Sequence, residues 1–453
     1  MKLSSERKIT ILYLLIYLIA ALSIALHQPL YDTPPEFGNP PDEHSRYMVP
    51  LYICNHGTLP TGFEEELFSG GCKWTYGFYT LLPYMVQGYA MRFVNLFTDS
   101  PLALLYTARL INVFIGFLMA IVVLKIGKEL FLNDNVRWLF CFLVTFLPQS
   151  LFLHTYVNPD SMCLLSTALM IYGILCGYED GFSLKSSAVM TLGIILCALS
   201  YYNAYGFIVS MVLLFTAYFF KKEEGKLSFE WRPFLKKGCL IAGVVLLCIS
   251  WSFIRNYLLY DGDFIGLETK ENFIKSFGIA RETFESRGES LLTMLTSTNF
   301  LPKVVISFIA NYGSGTIYAF LPIYGFFLLL FLLGFAGLFF PGGDAVWLSN
   351  IPKGKRVFFH ANMLFCIVMP FILLIKYAYS VDYQAQGRYI MPGVILIMGY
   401  LCHGLEKLPF LKMLDDRKRK VVFALLSASV VAALFIMIFA NAMPVYNKTG
   451  VLG

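Results

Sequence analysis

The stretch ITILYLLIYLIAALSIALHQ, residues 9–28, decides what kind of molecule this is. About 20 predominantly apolar residues are what an α-helix needs to cross roughly 30 Å of hydrocarbon. Basic residues precede it (Lys2, Arg7 and Lys8), but no small-residue cleavage site comes before His27. It therefore reads as a retained helix rather than a removed signal peptide. The pattern recurs near 102–124, 137–153, 161–178, 187–200, 204–220, 238–258, 316–340, 357–376, 389–404 and 420–442, which makes eleven expected transmembrane helices, the fifth and tenth short. Composition agrees, with 57% hydrophobic and only 14% charged residues, where a soluble domain carries about 25% charge. The expected fold class is an all-α polytopic membrane protein, one integral domain over residues 1–453 held in a lipid bilayer. The net charge of +6 is no nucleic-acid signature, because the basic residues sit in short clusters between apolar spans.

Those clusters orient the chain. Of 35 Lys and Arg residues, 22 fall on the inner side and 12 on the outer side if the N-terminus is inside, with Arg109 left within a span. The inner segments are also the shorter ones, so the positive-inside rule gives an inside N-terminus and an outside C-terminus. Two long segments then face outward, about 29–100 and about 259–303. The first contains HSRYMVPLYICNHG and YGFYTLLPYMVQGYAMRFVNLF, which read as helices lying along the interface with aromatics at headgroup level. The second is more polar and reads as a mobile lid. Eight of the ten cysteines lie in or beside the spans as small hydrophobes, whereas Cys54 and Cys72 share the first outer segment. They are a disulfide candidate in an oxidising compartment. No CxxC or HxxxH spacing accompanies them, which argues against a metal site there.

The outer ends of the spans carry the unusual polar residues: NPPDEH (39–44), HTYVNPDS (154–161), WSFIRNYLLYDGD (251–263) and YQAQGRYIMP (383–392). Four independent segments meeting on one face suit a binding pocket. Each also has a plainer reading. In VNPD, Asn158 is a good N-cap, Pro159 suits the first helical position and Asp160 complements the helix dipole. NPPDE opens a helix in the same way, although Asp42, Glu43 and His44 together exceed what capping requires. Arg255 has the form of a snorkelling helix-end cation. Arg388 is harder to explain so, because a cation at a helix start opposes the dipole and asks for an anion. Carboxylates beside arginines suit transfer from a phosphate-bearing lipid, one group taking a proton from a hydroxyl and the other holding the departing phosphate.

These motifs, in order over most of the chain, resemble the GT-C superfamily of multi-spanning glycosyltransferases. More narrowly, PPDEH, VNPD, RNYLLYDGD and QGRYIMP together resemble a poorly characterised family of bacterial membrane proteins placed within it. The resemblance implies inverting transfer of a sugar from a polyprenyl-phosphate donor to a cell-surface glycan or glycolipid acceptor, at the outer face of the cytoplasmic membrane. By position, Asp42 matches the acidic residue that acts as base, with Glu43 as its supporting neighbour or cation holder. Arg388 and Arg255 match the grip on the donor phosphate. His44, Asn158, Asp160, Gln386 and Tyr389 match the substrate-binding set. A magnesium or manganese ion at Asp42 and Glu43 is the cofactor such enzymes suggest, yet no clear DxD stands in the first outer segment. Only a short tail follows residue 443, where an acceptor-binding module would otherwise be expected. Adjacent helical residues point about 100° apart, so only one of Asp42 and Glu43 is expected to reach the acceptor hydroxyl.

Two other functions compete. A transporter or flippase hides ionisable groups near the membrane midplane and often shows repeated halves; here Arg109 is the one clear intramembrane charge and no repeat is visible. A non-catalytic subunit of a surface-polymer assembly would tolerate neutral outer carboxylates.

Overall fold

The computed structural model describes residues 5–31, 38–68, 75–223, 226–278, 282–342 and 351–452, and its elements follow the apolar runs closely. The helices are α1 Ser5–Ala25, α2 Glu43–His56, α3 Leu82–Asn95, α4 Pro101–Leu130, α5 Asp134–Phe146, α6 Pro148–Phe152, α7 Asp160–Asp180, α8 Leu184–Ala198, α9 Tyr205–Tyr218, α10 Trp231–Leu259, α11 Leu267–Ser276, α12 Leu291–Ser297, α13 Phe300–Ile309, α14 Leu321–Gly337, α15 Lys353–Ser380, α16 Val394–Lys407, α17 Pro409–Lys412, α18 Asp416–Ile436 and α19 Met443–Thr449. Strand is confined to two small antiparallel hairpins, β1 Phe220–Glu223 with β2 Lys226–Phe229, and β3 Asn311–Tyr312 with β4 Ile317–Tyr318.

Every expected span contains a helix. Among the described residues, seven helices are long and apolar enough to cross a membrane alone, and eight if a bent pair counts as one. The shorter ones have local causes. The third run breaks at Pro148, which starts the five-residue α6 instead of continuing α5, as a missing N–H requires. The eighth starts at Leu321 rather than 316, because the β3–β4 hairpin takes its first residues. The segment 259–303 departs furthest from the expectation. It holds α11, α12 and the start of α13, and α12 and α13 together form the bent pair, meeting at 59° beside Asn299, whose φ of 54° is left-handed.

Helix starts follow capping chemistry. Ser100 accepts from the Ala103 amide ahead of Pro101, and Ser183 and Asp415 do the same for α8 and α18. Close packing follows from small residues: a Cβ on Gly173 of α7 would stand 2.6 Å from the Met190 nitrogen of α8, so glycine lets these two backbones touch. The main core runs through the bundle, with Tyr17, Val123, Phe146, Ile171, Phe207 and Met398 fully buried. A second apolar cluster lies under α2 and α3, built on Val49, Ile53, Tyr84, Met91 and Leu105. Together these cores fix the short polar segments at 39–46, 153–160 and 384–393.

Candidate active site

Pro40 and Pro41 lead into α2, and Asp42 occupies its N-cap position in the left-handed region, at φ 60° and ψ 9°. A non-glycine residue held there costs on the order of 1 kcal/mol or more. Asp42 also makes no capping bond to its own helix, forgoing about another 1 kcal/mol. Its carboxylate turns instead to two guanidiniums: Arg388 Nη2 donates at 3.0 Å and Arg46 Nη2 lies 3.6 Å away. Arg46 is one helical turn along, so it shares the Asp42 face of α2. Its Nη1 reaches 3.3 Å to Asp160, the first residue of α7, and the ring of Tyr76 lies 4.9 Å from the guanidinium. The result is a row of alternating charge, Asp160, Arg46, Asp42 and Arg388, drawn from three separate segments.

Arg388 arises from a 3₁₀ turn, Gly387–Gly393, ahead of α16. Gly387 packs against the backbone of α13, where a Cβ would overlap Phe308, and its amide donates to Ser307 Oγ at 2.7 Å. Arg388 Nη2 also donates to the Tyr389 hydroxyl at 3.2 Å, and its guanidinium lies 5.1 Å from that ring. The Tyr389 hydroxyl pairs in turn with Gln384, while Gln386 contributes its carbonyl to the Tyr389 amide.

Exposure separates the four charges. The side chains of Arg388, Arg46 and Asp160 are 3%, 6% and 5% exposed, whereas Asp42 is 30% exposed. Asp42 is thus the member a reactant can reach. Burial pushes its carboxyl up, but Arg388 and Arg46 outweigh that, with hydrogen bonds from Arg388 and Tyr76, and hold it below the usual carboxylate range. Nε and Nη1 of Arg388 and Nε of Arg46 are buried with no hydrogen-bond partner among the described residues. A buried donor left so costs about 1–3 kcal/mol. The Tyr156 hydroxyl approaches Arg388.

Glu43 has a different setting. It is fully buried, and Arg109 holds it through Nε to Oε1 at 2.8 Å and Nη2 to Oε2 at 2.6 Å. Oε1 also accepts from the Val157 amide at 2.8 Å, and Arg109 Nη1 donates to the carbonyls of Ala25 and Gln28 at 3.0 and 2.9 Å. The intramembrane charge of α4 is thus the clasp that ties the end of α1, the start of α2 and the VNPD segment together.

The other expected site residues divide. Asp160, Gln386 and Tyr389 join or border the Asp42–Arg388 row. His44 is half-buried with its ring edge-on to Tyr31 at 4.6 Å. Asn158 has the capping role: Oδ1 accepts from the Ser161 amide at 3.1 Å and Nδ2 donates to the carbonyls of Leu153 and Tyr156 at 2.9 Å. Arg255 is not in the row. Its Nη2 donates to the Pro60 carbonyl at 2.5 Å, and the neighbouring Tyr260 hydroxyl donates to the Thr61 carbonyl at 2.8 Å. The end of α10 is therefore pinned to the segment after α2, and three of the four polar motifs converge rather than four. Cys54 is buried in α2, while Cys72, with the expected pairing, lies outside the described residues. The sequence reading missed Arg46 and Tyr76. Arg46 carried a usable signal, the i,i+4 spacing from Asp42.

The donor set at Asp42 and Glu43 does not fit a magnesium or manganese ion. Such ions take an octahedron of oxygens, whereas both Glu43 oxygens are engaged by Arg109 and Asp42 stands between two guanidiniums. Among the described residues, no three His, Cys, Asp or Glu side chains come together to hold a metal.

The overall fold is GT-C-like, similar to that of solved membrane-bound transferases. An Archaeoglobus fulgidus oligosaccharyltransferase tethered to an acceptor peptide matches with a TM-score of 0.52 at 16% identity, over 98% of this chain and 56% of that one. ArnT from Cupriavidus metallidurans bound to undecaprenyl phosphate matches with a TM-score of 0.51 at 12% identity, over 97% and 74%. The arabinofuranosyltransferase AftD from Mycobacteria gives 0.50 at 12%, over 96% and 28%. The chain thus spans little more than half the length of the oligosaccharyltransferase, and at these identities the likeness is one of fold. Residues 68–398 match the family described as predicted membrane protein, DUF2142, and the chain belongs to that family. No curated protein matches it.

Proposed function

We propose that this protein is an inverting glycosyltransferase that moves a sugar from a polyprenyl-phosphate donor to a hydroxyl of a glycan or glycolipid, at the outer face of the cytoplasmic membrane. The observation that carries this reading is an accessible, ionised carboxylate, Asp42, beside a buried arginine, Arg388, whose Nε and Nη1 have no partner among the described residues. A phosphate oxygen is the natural acceptor for such donors. Undecaprenyl phosphate bound to ArnT, a protein of the same fold, adds support for a lipid-linked donor.

In the reaction, the acceptor oxygen attacks the anomeric carbon as Asp42 takes its proton. The bond from that carbon to the phosphate oxygen breaks, and its electron pair leaves with the carrier phosphate. Attack from the side opposite the leaving group inverts the anomeric centre. Arg388 stabilises the charge growing on the phosphate. The donor phosphate also competes with Asp42 for Arg388, so donor binding relaxes the force that keeps the carboxyl acidic and makes it a stronger base when it is needed. Asp160 holds Arg46 in place, Tyr389 orients Arg388, and Glu43 acts as a positioning residue through Arg109 and Val157. No step requires a divalent cation. Arg255 has no part in the phosphate grip, and the chain works as one integral membrane unit.

The test is sugar transfer from a panel of labelled polyprenyl-phosphate sugars by the full-length protein in liposomes, with Asp42→Asn and Arg388→Ala alongside. The expected result is consumption of one donor, loss of transfer in Asp42→Asn with donor binding kept, and weakened donor binding in Arg388→Ala. Donors left intact while labelled lipid crosses between leaflets would replace this reading with a transporter.

A further inference from the structure

A cavity of about 610 Å³ opens between the segment after α2 and the turn joining α10 to α11. Its volume lies within the roughly 300–1,000 Å³ of small-ligand pockets. Phe63, Asp261, Glu268, Asn272 and Phe273 line it. Asp263 also borders it, but that carboxylate is used internally: Oδ1 accepts from the Ile265 and Gly266 amides at 3.1 and 2.8 Å, and Oδ2 from the Thr269 amide and hydroxyl at 2.9 and 3.0 Å. It builds the start of α11. Asp261, Glu268 and Asn272 remain exposed, and no side-chain hydrogen bond engages them among the described residues. Phe63 is 43% exposed, yet its ring is fixed edge-on between Phe78 at 4.9 Å and Phe273 at 5.2 Å.

An open aromatic ring beside two carboxylates and one amide suits a saccharide. Hydroxyls donate to carboxylates and to the amide oxygen and accept from the amide N–H, while the C–H face of a sugar ring lies on an aromatic surface. A purely apolar ligand would leave all three polar side chains unused. An acidic ligand would meet Asp261, Asp263 and Glu268 with no cation among the described lining residues to offset them, because Lys270 of α11 is turned away. Its Nζ contacts the Tyr79 hydroxyl and stands 4.4 Å from that ring.

Lys270 also gives the cavity its relation to Asp42. Tyr79 lies 5.2 Å from Tyr76, and Tyr76 lies 4.9 Å from Arg46, so α11 bridges the cavity and the charged row. We infer that this cavity is an acceptor subsite for a neutral or amino-bearing saccharide, and that α11 couples its occupancy to the site around Asp42. Its role as acceptor subsite rests on the transferase reading; its affinity for saccharides does not.

The experiment is saturation-transfer NMR on the full-length protein in lipid nanodiscs, with neutral, amino-sugar and uronic-acid oligosaccharides as probes, next to the donor-transfer assay. Neutral and amino-bearing probes are expected to bind and uronic acids not to. Asn272→Ala and Glu268→Gln, both on the exposed face of α11, are expected to weaken binding at least about fivefold, the worth of one hydrogen bond. Phe63→Ala is expected to abolish it. Equal binding to wild type and these variants, preference for uronic acids, or no binding at millimolar probe would each overturn the inference without touching the role of Asp42. Saccharide binding lost in the variants, in a protein that transfers no sugar from any donor, would uphold the cavity and remove its acceptor role.

Discussion

Asp42 and Glu43 are neighbours in sequence, and each faces a buried arginine, yet they belong to two kinds of site. At Glu43 both oxygens meet Arg109 in a two-point fork, the Val157 amide supplies a third bond, and the free Nη of Arg109 ends on two carbonyls. At Asp42 the carboxylate is partly open to solvent, and its arginines keep unpaired N–H groups. A closed pair offsets its own desolvation and holds structure together. An open pair retains hydrogen-bonding capacity that a ligand can satisfy. Local strain points the same way, since the left-handed backbone and the missing cap belong to Asp42.

The sharpest way to break this contrast is to neutralise each carboxylate in turn. Asp42→Asn keeps a side chain that tolerates the left-handed region and is expected to lower transfer by about 10²–10⁴-fold, the range for loss of a general base, with a fall in thermal midpoint smaller than that of Glu43→Gln, because Asp42 is the more exposed carboxylate. Glu43→Gln is expected to act on folding instead. It leaves Arg109 buried without its counter-charge, a loss of about 3–5 kcal/mol, read as a fall in thermal midpoint and in monodisperse yield from detergent. If Glu43→Gln folds normally and abolishes transfer while Asp42→Asn remains active, the two roles are reversed.

Asn158→Ala comes next. Asn158 stood open between cap and substrate contact in the sequence, and its bonds to Ser161, Leu153 and Tyr156 make it a cap. The expected loss is about 1 kcal/mol of stability, measured by thermal unfolding, without a change in the KM for donor. A raised donor KM at unchanged stability would return Asn158 to the binding site.

What the sequence made legible follows from range. Apolar length located a helix in each of the eleven runs, because a membrane segment must satisfy its backbone internally. Asp42 and Arg388 stood out as charges at the ends of apolar runs. The preference for Asp42 over Glu43 came from the resemblance alone, since the physical difference between them depends on a left-handed residue and on Arg109, 66 positions away from Glu43. Arg255 was visible as a helix-end charge, but its partner Pro60 lies 195 positions off. The α12–α13 pair was hidden for another reason. Its Thr and Ser residues look polar, yet Thr296, Ser297 and Thr298 donate back to the carbonyls of Leu292, Thr293 and Met294 at 2.8, 2.7 and 2.6 Å. Such self-satisfied hydroxyls lower the polarity that a hydropathy reading assigns them.

The smallest effect is a pH shift. Arg46 serves two carboxylates at once, Nη1 on Asp160 and Nη2 on Asp42, which a planar fork permits and a single ammonium does not. In Arg46→Lys the cation is expected to stay with Asp160, the more buried anion, leaving Asp42 with Arg388 alone. Arg388 and Arg46 are what hold the Asp42 carboxyl below its ordinary value against the upward push of burial, so losing one raises it. The proposed transfer needs the ionised form, so kcat/KM in the free enzyme is expected to fall as pH drops through that value. The acid limb of the profile is expected to move to higher pH in Arg46→Lys. Stability moves in the same sense. A carboxyl with a depressed folded-state value stabilises the fold above its unfolded value and loses that contribution as pH falls through the folded one, and the variant has less of it to lose. An acid limb that stays in place would mean that the titrating base is not Asp42, and the open site would then need another proton acceptor.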